Sequence, residues 1–237
     1  MYCFIRAKVF ATRYLRRIMH ILFEDYYLLA VNKPAGLSSE QGTGKHPSAE
    51  TEALLYFTGQ LQKNSTSKRL KVTPFLRLAH RLDRPASGVL LMAKTKTALT
   101  SLMEQFEQRT LQKVYHVIVE RRPAAAEGVL KNWLKKDDSG KKSLVVEKEG
   151  RGTQRAELSY KVLEPKGAGA LLEVELATGR FHQIRAQLAH IGCPVVGDLL
   201  YGGRFWRENE IKLHAQRLTF RHPKSGEMMT LECPAGF

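Results

Sequence analysis

The chain has 237 residues, with 38 Lys and Arg against 23 Asp and Glu, so its formal net charge is +15. At this length one large domain or two small ones can bury roughly 70% of the unfolded surface, and folding needs neither disulfide nor metal. Three cysteines (Cys3, Cys193 and Cys233) with no CxxC pair argue against a secreted disulfide framework and against a zinc site, and no apolar run reaches the roughly 18–20 residues of a membrane span.

A surplus of this size must meet a polyanion, and the commonest one for a basic soluble chain is nucleic acid, whose phosphates bind Lys and Arg with release of counterions. A membrane surface is the rival reading, and would need a basic amphipathic helix or lipidation motif that only the N-terminus offers. A surplus that serves only solubility is the bland one. Charge alone names no function.

Residues 1–18 form a basic extension with Arg6, Lys8, Arg13, Arg16 and Arg17 and no acid. It reads as a transit peptide lacking serine, as an arm reaching for RNA, or as sequence upstream of a true start at Met19. The last is favoured, because core periodicity begins there and continues as one domain over 19–237. Met19–Phe23 and Leu28–Asn32 read as a β-hairpin closed by Lys33-Pro34-Ala35-Gly36. Ser48 caps a predicted helix over Ala49–Gln62, and polar Lys63–Lys71 is a surface loop. Gly88–Ala93 is an apolar strand. Lys96–Gln108 is a helix with Leu99, Leu102, Met103 and Phe106 as its apolar stripe, and Lys113–Glu120 alternates as a strand.

The second half is mostly strand: Val129–Leu134, Leu144–Glu147, Gln154–Leu163 and Leu171–Leu176. A helix over Phe181–Ile191 stops at Gly192 and Pro194, and two last strands, Leu213–Phe220 and Met228–Cys233, flank a His222–Gly226 turn. The pattern predicts an α+β domain, an antiparallel-rich mixed sheet with flanking helices.

Several motifs mislead. Gly42-Thr43-Gly44-Lys45 resembles a phosphate loop, but Ser39 stands where its first glycine belongs and His46 where a magnesium-binding hydroxyl belongs. Asn64-Ser65-Thr66 is a glycosylation sequon in spelling only. No GxGxxG follows a strand and no HExxH or His/Cys cluster occurs, so chemistry without cofactor or metal is expected.

Two segments concentrate charge beside glycine at an element edge: His80-Arg81-Leu82-Asp83-Arg84-Pro85-Ala86-Ser87-Gly88, and Thr178-Gly179-Arg180-Phe181-His182-Gln183-Ile184-Arg185. In the first, guanidinium neighbours favour an ionised carboxylate. In the second, His182 and Arg185 share a predicted helical face. A surface ion pair and a solvated basic face explain both equally well on physical grounds.

His80–Lys94, HRLDRPASGVLLMAK, resembles the HRLDxxTSG signature of the RluA-type pseudouridine synthases. Further resemblances follow in order: Val31–Gly36 to an NKPxG loop, Lys113-Val114-Tyr115 to a KxY strand, Thr178–Arg185 to TGRxHQIR, and Gly192–Gly202 to GHPVVGDxxYG. With the tail from Leu213 they span about residues 19–234. Ala86, Phe181 and Cys193 depart from the family's usual residues. The S4-type RNA-binding domain of many relatives has no counterpart, so substrate choice is expected to rest on the catalytic domain and the basic arm.

The resemblance implies the pseudouridine synthase catalytic fold and isomerisation of uridine in structured rRNA or tRNA, with no cofactor. It maps the essential aspartate onto Asp83, acting as nucleophile at C1′ or base at C2′, an active-site tyrosine onto Tyr115 and the aspartate's arginine partner onto Arg185. Around them Lys33, Arg77, His80, Arg81, Arg84, Arg180 and His182 are expected to contact RNA, and Gly88 and Gly179 to permit close backbone approach or a turn. A cytoplasmic monomer is expected. The competing function is a non-catalytic RNA-binding or ribosome-assembly factor on the same fold; a ribonuclease lacks paired histidines to recommend it.

Overall fold

The computed structural model describes residues 19–42, 47–64 and 74–237. The basic extension over 1–18, the phosphate-loop lookalike from residue 43 onward, Ser65 and Thr66 of the sequon and most of the polar 63–71 loop lie outside the described residues.

Strands β1 (His20–Glu24) and β2 (Leu28–Lys33) form the expected hairpin. Asp25 Oδ1 closes it by accepting the Tyr27 and Leu28 N–H groups at 2.8 and 2.6 Å. Helix α1 (Ala49–Asn64) starts at Ser48, whose Oγ accepts the Thr51 N–H at 3.2 Å. The short β3 (Arg77–Leu78), too brief to carry an alternation, pairs with the end of β4 (Ser87–Ala93). Helix α2 (Lys96–Gln108) is capped by Thr95 and ended by Arg109 at φ 58°. Its buried positions are Ala98 and Leu102, while Met103 of the expected stripe is 51% exposed.

There follow β5 (Gln112–Val119), β6 (Glu127–Lys136), β7 (Ser143–Val146), β8 (Thr153–Lys166), β9 (Gly169–Leu176), α3 (Gln183–His190), β10 (Leu213–Arg221) and β11 (Met228–Glu232). Together the described strands make one mixed sheet in the order β1-β2-β4-β10-β5-β9-β8-β6-β7, with β3 paired to β4 and β11 to β10. Among these strands all pairings are antiparallel except β4 with β10.

The two-residue period of the strands divides the core between the two faces. One face buries Val31, Leu90, Tyr115, Val117 and Val174 with Ala53 of α1 and Ile184 and Leu188 of α3. The other buries Ala30, Val89, Leu91 and Phe220 with Ala98 and Leu102 of α2. Because both faces of β2 and β4 are covered, their sequences read as apolar runs rather than alternations.

The parallel pairing depends on Gly88. Its φ is +115°, and a Cβ there would lie 2.3 Å from the Ala215 carbonyl oxygen and 2.5 Å from its nitrogen. Beside it His214 Nε2 donates to the Cys233 carbonyl at 2.8 Å, which leaves Nδ1 to accept the Ser87 hydroxyl at 2.8 Å and ties the two strands. Gly88→Ala is therefore expected to cost about 3 kcal/mol, through strain and displacement of β10, read as a lower midpoint in urea unfolding. A variant that unfolds like the parent would show that the strands separate freely. By contrast a Cβ at Gly179 meets only the flexible Lys113 Nζ at 3.4 Å, so no backbone approach requires glycine there.

Candidate active site

The loop from Ala79 to Ala86 enters β4 under tight backbone control. Ser39 Oγ donates to the Leu82 carbonyl at 2.7 Å and accepts its N–H at 3.0 Å, while the Gly36 N–H donates to the Arg84 carbonyl at 2.8 Å. Lys33 completes the clamp. It is fully buried, and its Nζ lies 2.9, 2.7, 3.3 and 2.6 Å from the carbonyl oxygens of Pro34, Leu37, Arg84 and Ala86. Burial lowers its pKa to about 7, against the opposing pull of the Asp83 charge. Lys33 is thus corrected from an RNA contact to an internal fastener joining two loops.

From the opposite side, Gln183 Oε1 accepts the Thr178 hydroxyl at 2.7 Å and the Arg180 N–H at 3.0 Å, fixing the turn that opens α3. Helix α3 begins one residue after His182, which sits at φ 51° outside it, so His182 and Arg185 do not share a helical face as expected. Both still converge on Asp83. Arg185 Nη1 donates to Asp83 Oδ2 at 3.0 Å, and His182 Nε2 lies 3.8 Å from the same oxygen.

The rest of the guanidinium is held by a residue that sequence reasoning missed. Arg185 Nε donates to Asp198 Oδ2 at 2.6 Å and Nη2 to Oδ1 at 2.8 Å, a two-pronged pair with Asp198 only 1% exposed. The Tyr201 ring lies under the same guanidinium at 5.0 Å. Burial alone would lower the Arg185 pKa, but the hydrogen bonds and charges of Asp198 and then Asp83 push it above its ordinary value. Asp83 Oδ1 carries no hydrogen bond among the described residues.

Asp83, Tyr115, Leu176, His182, Arg185 and Leu213 line a cavity of about 100 Å³. It continues into a cleft of about 740 Å³ walled by Arg81, Arg84, Lys113, Lys136, Arg180 and Phe181. Tyr115 stands on β5 between Val174 of β9 and Ala215 of β10, and burial, then the Asp83 charge, pushes its phenol well above the ordinary value. It keeps its proton at neutral pH.

Among the other expected RNA contacts, Arg81 is exposed and paired with Glu40 at 2.6 Å, Arg84 Nε donates to the Gly36 carbonyl at 3.0 Å, and Arg180 Nε donates to the Arg155 carbonyl at 3.0 Å. All three border the cleft. His80 does so too, but its Nε2 accepts the Leu91 N–H at 3.1 Å, and burial followed by Lys113 lowers its pKa to about 4. It is a neutral acceptor on the cleft wall, so any contact it makes with RNA carries no charge. Arg77 pairs with the Ala93 end of β4 and lies 3.9 Å from Glu50, with its side chain exposed outside the cavity and cleft linings. His182 faces the carboxylate rather than solvent, stacked on Phe181 at 3.8 Å.

Asp198 and Tyr201 come from the Gly192–Gly202 segment, where an acid among apolar residues and glycines was the available signal. Lys113 stood in the quoted KxY strand. No group of three or more His, Cys, Asp or Glu among the described residues is placed to hold a metal ion.

A family model described as RNA pseudouridylate synthase matches residues 27–190. The chain is 34% identical over 221 residues to an uncharacterized RNA pseudouridine synthase of Bacillus subtilis, covering 91% of this chain and 68% of that one. It is 31% identical over 246 residues to ribosomal large subunit pseudouridine synthase C of Buchnera aphidicola, covering 98% and 72%. The chain thus spans about two thirds of the length of the curated relatives it matches. Among solved structures it resembles human RNA pseudouridylate synthase domain containing 4, with a TM-score of 0.73 and 25% identity over 98% of this chain and 93% of that one. With the same fold and the family model laid across both the Asp83 loop and α3, the chain belongs to the RNA pseudouridylate synthase family.

Proposed function

We propose that this chain isomerises uridine to pseudouridine in structured RNA, with Asp83 as the reacting group and Tyr115 and Arg185 as its partners. The observation that carries this reading is a carboxylate anchored through one oxygen to a buried guanidinium, with no hydrogen bond on its other oxygen among the described residues, in the lining of a cavity that Tyr115 also lines. The reaction breaks the N1–C1′ bond, turns the uracil and rejoins it through C5, so bonds are exchanged within one nucleotide. The free Oδ1 attacks C1′ or removes the C2′ proton; either route uses the same oxygen. Tyr115 offers a protonated phenol and a ring against which the base stacks. The relatives named as ribosomal large subunit pseudouridine synthases favour ribosomal over transfer RNA.

Release of tritium from [5-³H]uridine RNA, followed by primer extension across carbodiimide adducts, tests the activity and locates the product. Binding without tritium release on large-subunit RNA and transfer RNA alike would favour the assembly-factor reading.

The cleft reaches RNA through its cations, and Lys113 gives that contact a pH signature. Burial, then Arg109 and Arg180, lowers its pKa from 10.5 to about 8. A phosphate seated beside it favours the ammonium, so above about pH 8 binding takes up a proton. RNA affinity is expected to fall as pH rises through about 8, and Lys113→Met to weaken binding at pH 7 and flatten that dependence. Fluorescence anisotropy at fixed salt measures both; an unchanged slope in the variant removes Lys113 from the contact.

A further inference from the structure

His182 has a proton position that its neighbours decide. The Ser143 N–H donates to the Tyr201 hydroxyl oxygen at 2.7 Å, and that oxygen lies 3.2 Å from His182 Nδ1. With its acceptor side used by Ser143, the tyrosine satisfies its own O–H by donating it to Nδ1. Burial pushes the Tyr201 phenol up to about 12, so that proton is in place at neutral pH. Nδ1 is then an acceptor, and the imidazole proton sits on Nε2, facing Asp83 Oδ2 at 3.8 Å. The other tautomer leaves the tyrosine O–H without an acceptor among the described residues and turns a nitrogen lone pair toward a carboxylate.

We infer that the Ser143–Tyr201–His182 chain is a tautomer lock, which makes His182 a positioning residue that presents Nε2–H to Asp83 Oδ2 and leaves Oδ1 for the ribose. The inference rests on the synthase reading above and adds a role that reading does not contain. The groups facing His182 are Asp83 from the loop before β4, Arg185 of α3, Asp198 and Tyr201 beyond α3, and Lys136 at the end of β6, with Phe181 stacked on the ring. Burial lowers the His182 pKa against the pull of Asp83, so the ring is neutral and adds a donor without adding charge. The 3.8 Å separation leaves room for the contact to tighten when substrate enters.

Tyr201→Phe removes only the hydroxyl that holds the tautomer. At pH 8 it is expected to lower kcat about tenfold with KM for RNA within about twofold, the loss of one hydrogen bond to a charged group. The deficit should shrink only as pH falls well below the ordinary imidazole value of about 6.5, because an imidazolium carries a proton on Nε2 whatever Tyr201 does. His182→Gln, which keeps a donor, should retain more activity than His182→Leu, and neither should show the recovery at low pH.

The ¹⁵N spectrum of the histidine ring in the unmodified protein, which does not depend on any variant folding, should show Nε2 protonated and Nδ1 bare. A proton found on Nδ1, or a Tyr201→Phe deficit that is absent or the same at every pH, overturns the inference while leaving the synthase reading standing. An unmodified protein that releases no tritium removes the synthase reading itself, whatever the tautomer.

Discussion

Replacing Asp83 by Asn is expected to lower single-turnover pseudouridine formation by about 10⁴-fold while RNA affinity changes less than about twofold. The amide has nearly the shape of the carboxylate and still offers one oxygen to Arg185 Nη1, now 3.0 Å from Oδ2. It has neither the charge to attack C1′ nor the basicity to take a proton from C2′. Folding should survive, since Asp198 continues to hold Arg185 on two nitrogens and Asp83 is itself partly exposed. Tritium release under single-turnover conditions reads the chemical step, and anisotropy on the same RNA reads binding. A variant that keeps more than about a hundredth of the rate would place the chemistry on another group. Asp83→Ala should match the Asn variant in rate, because both lack the reacting oxygen's charge.

Much of the fold was legible in the sequence because it rests on local rules. Ser48 announces the start of α1 by its hydroxyl, which accepts a helix N–H group at the expected place. The hairpin β1–β2 and the core of β8 followed from strand-forming residues set between turn residues. What escaped was set by distant contacts. The two-residue β3 exists because β4 has an open edge at Met92 and Ala93, which no window around residue 77 contains. Met103 follows the helical spacing yet is exposed and borders the cleft, so spacing alone does not tell a core position from a cleft wall.

The site divides in the same way. The motif residues Asp83, Tyr115 and Arg185 line one cavity although 102 residues separate the ion pair. Charge type misled for Lys33, because a lysine beside a basic motif reads as a phosphate ligand until its depth is known. Lys33 and His80 both face backbone groups of the loop and strand they support. Asp198 went unassigned for the converse reason: a lone acid in a glycine-bounded segment looks like a turn until the arginine 13 residues earlier is found folded against it.

That aspartate gives the second large effect. Asp198→Ala is expected to destabilise the protein by about 3–5 kcal/mol, because a guanidinium 4% exposed would lose two of its three hydrogen bonds to carboxylate and keep only the contact to Asp83. Against a total stability of about 5–15 kcal/mol this is a large fraction, visible as a shifted urea midpoint with an unchanged slope. The rate should fall as well. A freed Arg185 is expected to turn its fork onto Asp83 and engage the second oxygen, which carries no hydrogen bond among the described residues. Asp198→Asn keeps one acceptor and should cost less on both counts.

Arg185→Lys separates charge from geometry: a point charge cannot fork one carboxylate while touching another, so Asp198 or Asp83 is left short of a donor. Removing the pair together, as Arg185→Met with Asp198→Leu, should recover much of the lost stability, since no buried charge remains unmatched, yet recover none of the activity. If Asp198→Ala instead melts and turns over like the parent, the buried fork is ornamental and Asp83 owes its orientation to its own loop.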